Sequence, residues 1–145
     1  MRSDTKDIFF KHALTLAKRA GQRGEVPIGA VLVHEGKIIA KAYNRTERRQ
    51  SFLWHAEMVC FQKASKLLGT KYLTGAELYV TLEPCLMCQT AARLTRVKTI
   101  HFLLPSGKFG ADGPAYSKIS QQCYPDSELT QNAKSLLQDF FKKRR

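Results

Sequence analysis

An α/β sandwich of helices packed on a sheet is the architecture this sequence predicts, and two observations predict it. Apolar residues at helical spacing alternate along the chain with short runs of β-forming residues. The 145 residues, 43% hydrophobic and 25% charged, suit one domain with a proper core, spanning residues 1–145, rather than two.

The first element is a helix, because Ile8, Phe9, Ala13, Leu16, Ala17 and Ala20 fall on one face, with Asp4 placed to cap its start and Gly21 and Gly24 to stop it. Residues 30–33 and 37–43 flank Glu35-Gly36, a pair suited to a tight antiparallel hairpin in which glycine takes a positive φ. The stretch from Asn44 to Trp54 turns polar and basic and reads as a loop that delivers His55 to a second helix, residues 55–68, ended by Gly69. Residues 77–82 form a third strand after the Thr74-Gly75 turn, and Pro84 opens a third helix through about Thr95. A fourth strand covers residues 99–104 and a loop residues 105–114. A last helix, with Asp126 or Ser127 as its cap, runs toward Phe140-Phe141.

Twenty-four Lys and Arg against 12 Asp and Glu give a net charge of +12, a surplus that favours a polyanionic partner, most often nucleic acid. Arg45, Arg48, Arg49, Lys108 and the terminal Lys142, Lys143, Arg144 and Arg145 are the candidate phosphate contacts, against the plainer reading of a solvated basic surface. No apolar run approaches the ~20 residues of a membrane span, and the opening Met1-Arg2-Ser3-Asp4 leads into an amphipathic pattern rather than a signal peptide. A cytoplasmic location, no membrane association and reduced thiols are therefore expected.

The chemistry concentrates at two predicted helix starts, His55-Ala56-Glu57 and Pro84-Cys85-Leu86-Met87-Cys88. Unpaired N–H groups and the positive dipole end of a helix stabilise a thiolate, the form that binds metal. Cysteines three apart face one side of a first turn, and His55 can add a nitrogen from the neighbouring helix. Three protein ligands, His55, Cys85 and Cys88, leave a tetrahedral Zn2+ one open position, where water loses its proton near neutral pH. Glu57, two residues past His55, is placed to move protons without ligating, the arrangement that hydrolytic deamination of a base requires. Either half alone is weak: His-Ala-Glu is common capping chemistry, and Cys-x-x-Cys serves redox and structural sites too. Together they favour a catalytic zinc over a structural one, for which a fourth ligand would have to come from Cys60, Cys123, His34 or His101.

With these residues in view, the chain resembles the bacterial tRNA-specific adenosine deaminases, within the cytidine-deaminase-like superfamily. The likeness runs through residues 12–18, Glu25-Val26-Pro27-Ile28-Gly29-Ala30, Asn44, His55-Ala56-Glu57 and Leu78 to Cys88, and ends near Asp139-Phe140-Phe141. It implies a mixed β-sheet of four to five strands with helices on both faces, a three-layer α/β/α fold. It also implies one zinc per subunit, a homodimer, and conversion of the wobble adenosine of a tRNA anticodon stem-loop to inosine. Asn44 would hydrogen-bond the target base, with Pro27, Ala56 and Leu82 as further substrate-binding positions. The chain departs from the family at Ser51-Phe52-Leu53-Trp54, where Asp-Pro-Thr-Ala is usual, at Ser106, where an acid is usual, and across residues 116–126, where no fifth strand is legible. Trp54 would stack on a base or simply pack. Two other readings stay open: a zinc deaminase of a free base or nucleoside, and an inactive RNA-binding module with structural zinc, against which the intact Glu57 argues.

Overall fold

A computed structural model of the chain describes residues 3–106, 119–125 and 127–143. Helix α1 spans Ser3–Gln22 and strands β1 and β2 span Gly29–His34 and Lys37–Tyr43. A short helix α2, Thr46–Arg49, and a 3-10 turn, Phe52–Trp54, lead into α3, Ala56–Leu68. Strand β3, Glu77–Leu82, is followed by α4, Leu86–Leu94, then β4, Thr99–Leu104, β5, Gln121–Cys123, and α5, Glu128–Lys143.

The five strands form one sheet in the order β2-β1-β3-β4-β5, with β1 antiparallel to both β2 and β3, and β4 parallel to β3 and β5. The sheet is therefore mixed. Because successive strand residues point to opposite faces, Ala30, Leu32, Leu78, Val80, Ile100 and Phe102 pack with α3 and α4 residues such as Val59, Phe61 and Ala92. On the other face Val31, Val33, Tyr79 and Leu103 pack with Phe9, Phe10, Leu16 and Ala133 of α1 and α5. Helices thus cover both faces, as expected. Helix α1 comes so close to β1 that a Cβ on Gly29 would lie 2.0 Å from the Ala13 carbonyl oxygen and 2.6 Å from the Ala17 nitrogen.

The β1–β2 hairpin turns through Glu35 and Gly36, both at positive φ (52° and 77°), and the ladder is interrupted by a bulge between Leu32 and Val33. Gly69, at φ 70°, ends α3 as predicted, its N–H donating to the Ser65 carbonyl. Ser127 caps α5, its Oγ accepting the Thr130 N–H at 3.1 Å; Asp126, the alternative cap, lies outside the described residues.

Three expectations need correction. The segment read as a basic loop contains α2, because the buried Glu25 carboxylate accepts the N–H groups of Glu47 (2.9 Å) and Arg48 (2.8 Å) and supplies the cap the local sequence lacks. Pro84 does not occupy the first helical turn; Cys85 is the N-cap with extended backbone (ψ 171°), and α4 starts at Leu86. A fifth strand exists although its residues carry no alternating apolar pattern: β5 is set by parallel pairing of Gln121, Gln122 and Cys123 with Ile100, His101 and Phe102.

Candidate active site

The carboxyl end of β3 hands the chain to α4, and the turn after α2 hands it to α3, so the two helix starts meet. His55 is the N-cap of α3 and Cys85 the N-cap of α4, and neither side chain closes onto its own helix. All three donor atoms lie within 4.8 Å of one another. His55 Nδ1 is 3.6 Å from Cys85 Sγ and 3.5 Å from Cys88 Sγ. Bonds of about 2.0 Å to nitrogen and 2.3 Å to sulfur at tetrahedral angles place donors roughly 3.5 Å apart, so the three atoms fit the edges of a zinc coordination tetrahedron.

The electrostatics suit the same ion. The Cys85 thiol is brought down to about 4, chiefly by the hydrogen bond from Cys88 and further by His55, against the cost of burial. Cys88 moves up for the same reasons in reverse, as donor to Cys85 and as a buried thiol. His55 is raised by its hydrogen bond with Cys85. Zinc uptake requires both sulfurs as thiolates, so it releases protons from the pair.

Glu57, in the first turn of α3, is 4% exposed, and its Oε1 has no hydrogen-bond partner among the described residues. Burial raises its pKa above the ordinary carboxylate value. A buried carboxylate oxygen left without a partner costs the fold stability, and such groups cluster at functional sites.

Asn44 is buried at the end of β2, and its Oδ1 accepts the Ala56 N–H at 2.9 Å. That bond uses one of the two lone pairs of the amide oxygen, so the side chain keeps one acceptor site and its NH2 group. Ala56 is fully buried behind His55, and Leu82 is half-buried at the end of β3. Pro27 lines a separate cleft of about 470 Å³ between α1 and α5, together with Lys18, Leu136, Phe140 and Lys143.

Among the candidate RNA contacts, Arg45, Arg48 and Arg49 share a concave basic cleft with Arg23, a residue the sequence reading did not single out. Trp54 is half-buried, packs against the α3-side core and carries the Arg49 guanidinium 4.6 Å above its ring. Ser106 donates its backbone N–H to Glu83 Oε1 at 3.0 Å, and the other oxygen of that buried glutamate has no partner among the described residues. Lys142 and Lys143 are exposed at the end of α5, whereas Lys108, Arg144 and Arg145 lie outside the described residues. Cys60 is buried in the core, and none of the four cysteines forms a disulfide.

A mixed sheet with helices on both faces, presenting His, Cys and Cys at two helix starts beside a buried free carboxylate, defines a zinc-dependent deaminase. The chain belongs to the cytidine and deoxycytidylate deaminase family, whose zinc-binding region matches residues 3–104. It is 44% identical over 149 residues to a tRNA-specific adenosine deaminase of Aquifex aeolicus (strain VF5), an alignment spanning 97% of this chain and 96% of that one. A structure from a study of A-to-I editing by tRNA:A34 deaminases at the wobble position superimposes with TM-score 0.77 at 37% identity, covering 81% of this chain and 98% of the other. A guanine deaminase from Bacillus subtilis superimposes with TM-score 0.67 at 30% identity, covering 99% and 94%.

Proposed function

We propose that residues 1–145 act as one deaminase domain that converts the wobble adenosine of a tRNA anticodon loop to inosine, replacing the exocyclic amine with oxygen from water and releasing ammonia. The reaction class is hydrolysis of a C–N bond in a cyclic amidine. The observation that carries the reading is the unpartnered Glu57 oxygen beside the His55, Cys85 and Cys88 donors, in a chain matching a tRNA-specific adenosine deaminase along nearly its whole length.

His55, Cys85 and Cys88 would hold zinc, which when bound would supply the Lewis acidity that makes water a nucleophile near neutral pH. The protein's own residues do the rest. Glu57, buried and raised in pKa, takes one proton of the attacking water and gives it to the ring nitrogen next to the reacting carbon. It then takes the proton of the newly added hydroxyl and gives it to the amine, which leaves as ammonia as the carbonyl forms. The Asn44 NH2 group donates to the base, while its oxygen keeps Ala56, and with it the start of α3, in place. The target nucleotide must be splayed out of the loop to reach these groups. Phosphates of the anticodon stem-loop meet the basic surface carrying Arg45, Arg48 and Arg49. The working unit is a homodimer in the cytoplasm; among the described residues no helix is long and apolar enough to cross a membrane.

The likeness to a guanine deaminase supports a second reading, turnover of a free purine base. One experiment separates the two: inosine formation in a synthetic anticodon stem-loop carrying a wobble adenosine, alongside assays of free adenine, adenosine and guanine. Inosine at that one position, lost by at least about a hundredfold in Glu57→Gln while the zinc content stays at one per subunit, is the expected result. Turnover of a free base with an untouched stem-loop overturns it.

A further inference from the structure

A cleft of about 210 Å³ is lined by Arg23, Glu25, Tyr43, Arg45, Arg48 and Arg49. At about 30 Å³ per water it has room for a phosphate group with several waters. Four guanidiniums face a single carboxylate, and that carboxylate is engaged: both Glu25 oxygens accept backbone N–H groups of α2. No guanidinium of the four lies within ion-pair distance of an acidic group among the described residues.

The arginines are seated rather than splayed at random. The Arg45 guanidinium lies 4.7 Å and that of Arg23 5.9 Å from the centre of the buried Tyr43 ring, and Arg49 lies 4.6 Å from Trp54. Stacking on an aromatic face fixes the plane of a guanidinium and leaves its N–H fork pointing outward for a bidentate anion. Arg45 Nε is buried and has no hydrogen-bond partner among the described residues, a donor left without an acceptor at the floor of the cleft. The cleft is also tied to the chemistry. The Arg45 N–H donates to the Trp54 carbonyl at 3.0 Å, one residue before His55, and Arg45 directly follows Asn44.

We infer that this cleft seats one phosphodiester of the RNA, at the linkage next to the nucleotide presented to Glu57. The inference rests on the reading of the substrate as an anticodon loop. It makes Arg23, from the turn before β1, a specificity-determining residue together with Arg48. The anchored phosphate fixes the register of the loop, so the adjacent base, and not its neighbours, reaches Asn44. A planar fork recognises a non-bridging pair of phosphate oxygens, so the cleft selects backbone over base and is blind to sequence.

The test is a mutant cycle on binding. Wild type and Arg23→Gln/Arg48→Gln are titrated with the wobble-adenosine stem-loop and with a set of the same RNA carrying one uncharged methylphosphonate linkage at each loop position. The expected result is a single linkage beside the target where neutralising the phosphate weakens wild-type binding about tenfold but costs the variant nothing further. The variant alone loses about tenfold, and its dependence of log K on log salt flattens by about one to two. Independent losses at every linkage overturn the inference while leaving the deaminase reading intact. A wild type that neither binds nor edits the stem-loop overturns both. Displacement of RNA by inorganic phosphate beyond matched chloride, in wild type but not in the variant, reassigns the cleft to a free phosphate. Zinc content and the unfolding midpoint check the fold. If the double variant does not fold, Arg48→Lys, which keeps the charge and loses the fork, must still abolish most of the coupling at that linkage.

Discussion

Asn44 Oδ1 and the Ala56 N–H meet at 2.9 Å, and through that bond Asn44 anchors the helix start that carries both His55 and Glu57. Strand β2 ends at Tyr43, so the sheet itself sets the position of α3's first turn. Asn44→Ala leaves a fully buried backbone donor without its acceptor, and the expected cost is about 1–3 kcal/mol. Urea unfolding of zinc-loaded protein measures it, and an unchanged midpoint contradicts the anchoring role.

The approach of α1 to β1 tolerates only hydrogen at Gly29. In Gly29→Ala the new methyl would sit 2.0 Å from the Ala13 carbonyl oxygen and 2.9 Å from Leu16 Cβ, and the first of these is backbone that cannot swing aside. A loss of about 3 kcal/mol or more is expected, at the upper end of overpacking costs. Chemical denaturation with an unchanged m value is the check; a loss under about 1 kcal/mol means that α1 can lift off the sheet cheaply.

Zinc bound by His55, Cys85 and Cys88 would tie the start of α3 to the start of α4. Removal of the ion by a chelator should lower the melting temperature and speed amide exchange at residues 55–60 and 85–90 before it affects β1 or β3. Cys88→Ser should mimic the effect without chelator. Uniform loosening of the whole sheet would instead make the metal an organiser of the entire fold.

His101 gives a pH dependence far from the site. Its Nε2 is 2.8 Å from Glu77 Oε1 and its Nδ1 2.8 Å from the Tyr124 hydroxyl, and its ring stacks on Tyr79 at 4.4 Å. Burial lowers its pKa although Glu77 pulls the other way, so the folded protein holds the imidazole neutral, with Nε2–H donating to Glu77. Below the unfolded value of about 6.5 the unfolded chain takes up the proton first. Stability is therefore full above that pH and falls as the pH drops below it, by at most about 1.4 kcal/mol per pH unit for one proton, until the folded pKa is passed. His101→Gln should flatten the denaturation midpoint over that window, whatever its effect at pH 8. An equally steep fall in the variant would place the titrating group elsewhere.

What could be read in the sequence was what local chemistry decides. Glu35-Gly36 announces its hairpin, Gly69 its helix end, and His55, Cys85 and Cys88 carry their spacing in plain view. What could not be read depends on partners distant along the chain. Helix α2 exists because Glu25, some twenty residues earlier, reaches its first turn, and nothing in Thr-Glu-Arg-Arg signals that. Strand β5 exists because β4 offers backbone partners, so Gln121 and Gln122 need no apolar pattern. Arg23 escaped notice for the same reason. It sits in a turn and gains meaning only where folding brings it over Tyr43 beside Arg45. Asn44 stood out only through the family resemblance, which implies a substrate contact, and its bond to the Ala56 N–H was not legible.

The order of the sheet leaves β2 and β5 as its two outer strands, and rows of unpaired N–H and C=O groups on such strands can recruit other molecules into fibrous or amorphous deposits. Each border is blunted differently. On β2, Lys37 and Lys41 are exposed, and the extra residue Ile39, opposite the Leu32–Val33 step of β1, interrupts the regular ladder a stranger would copy. On β5, three residues are too few to template a lasting cross-molecular pairing. Concentrated preparations should accordingly stay clear of aggregates through the sheet's own edges, and Lys37→Val/Lys41→Val is the change that would expose the hazard.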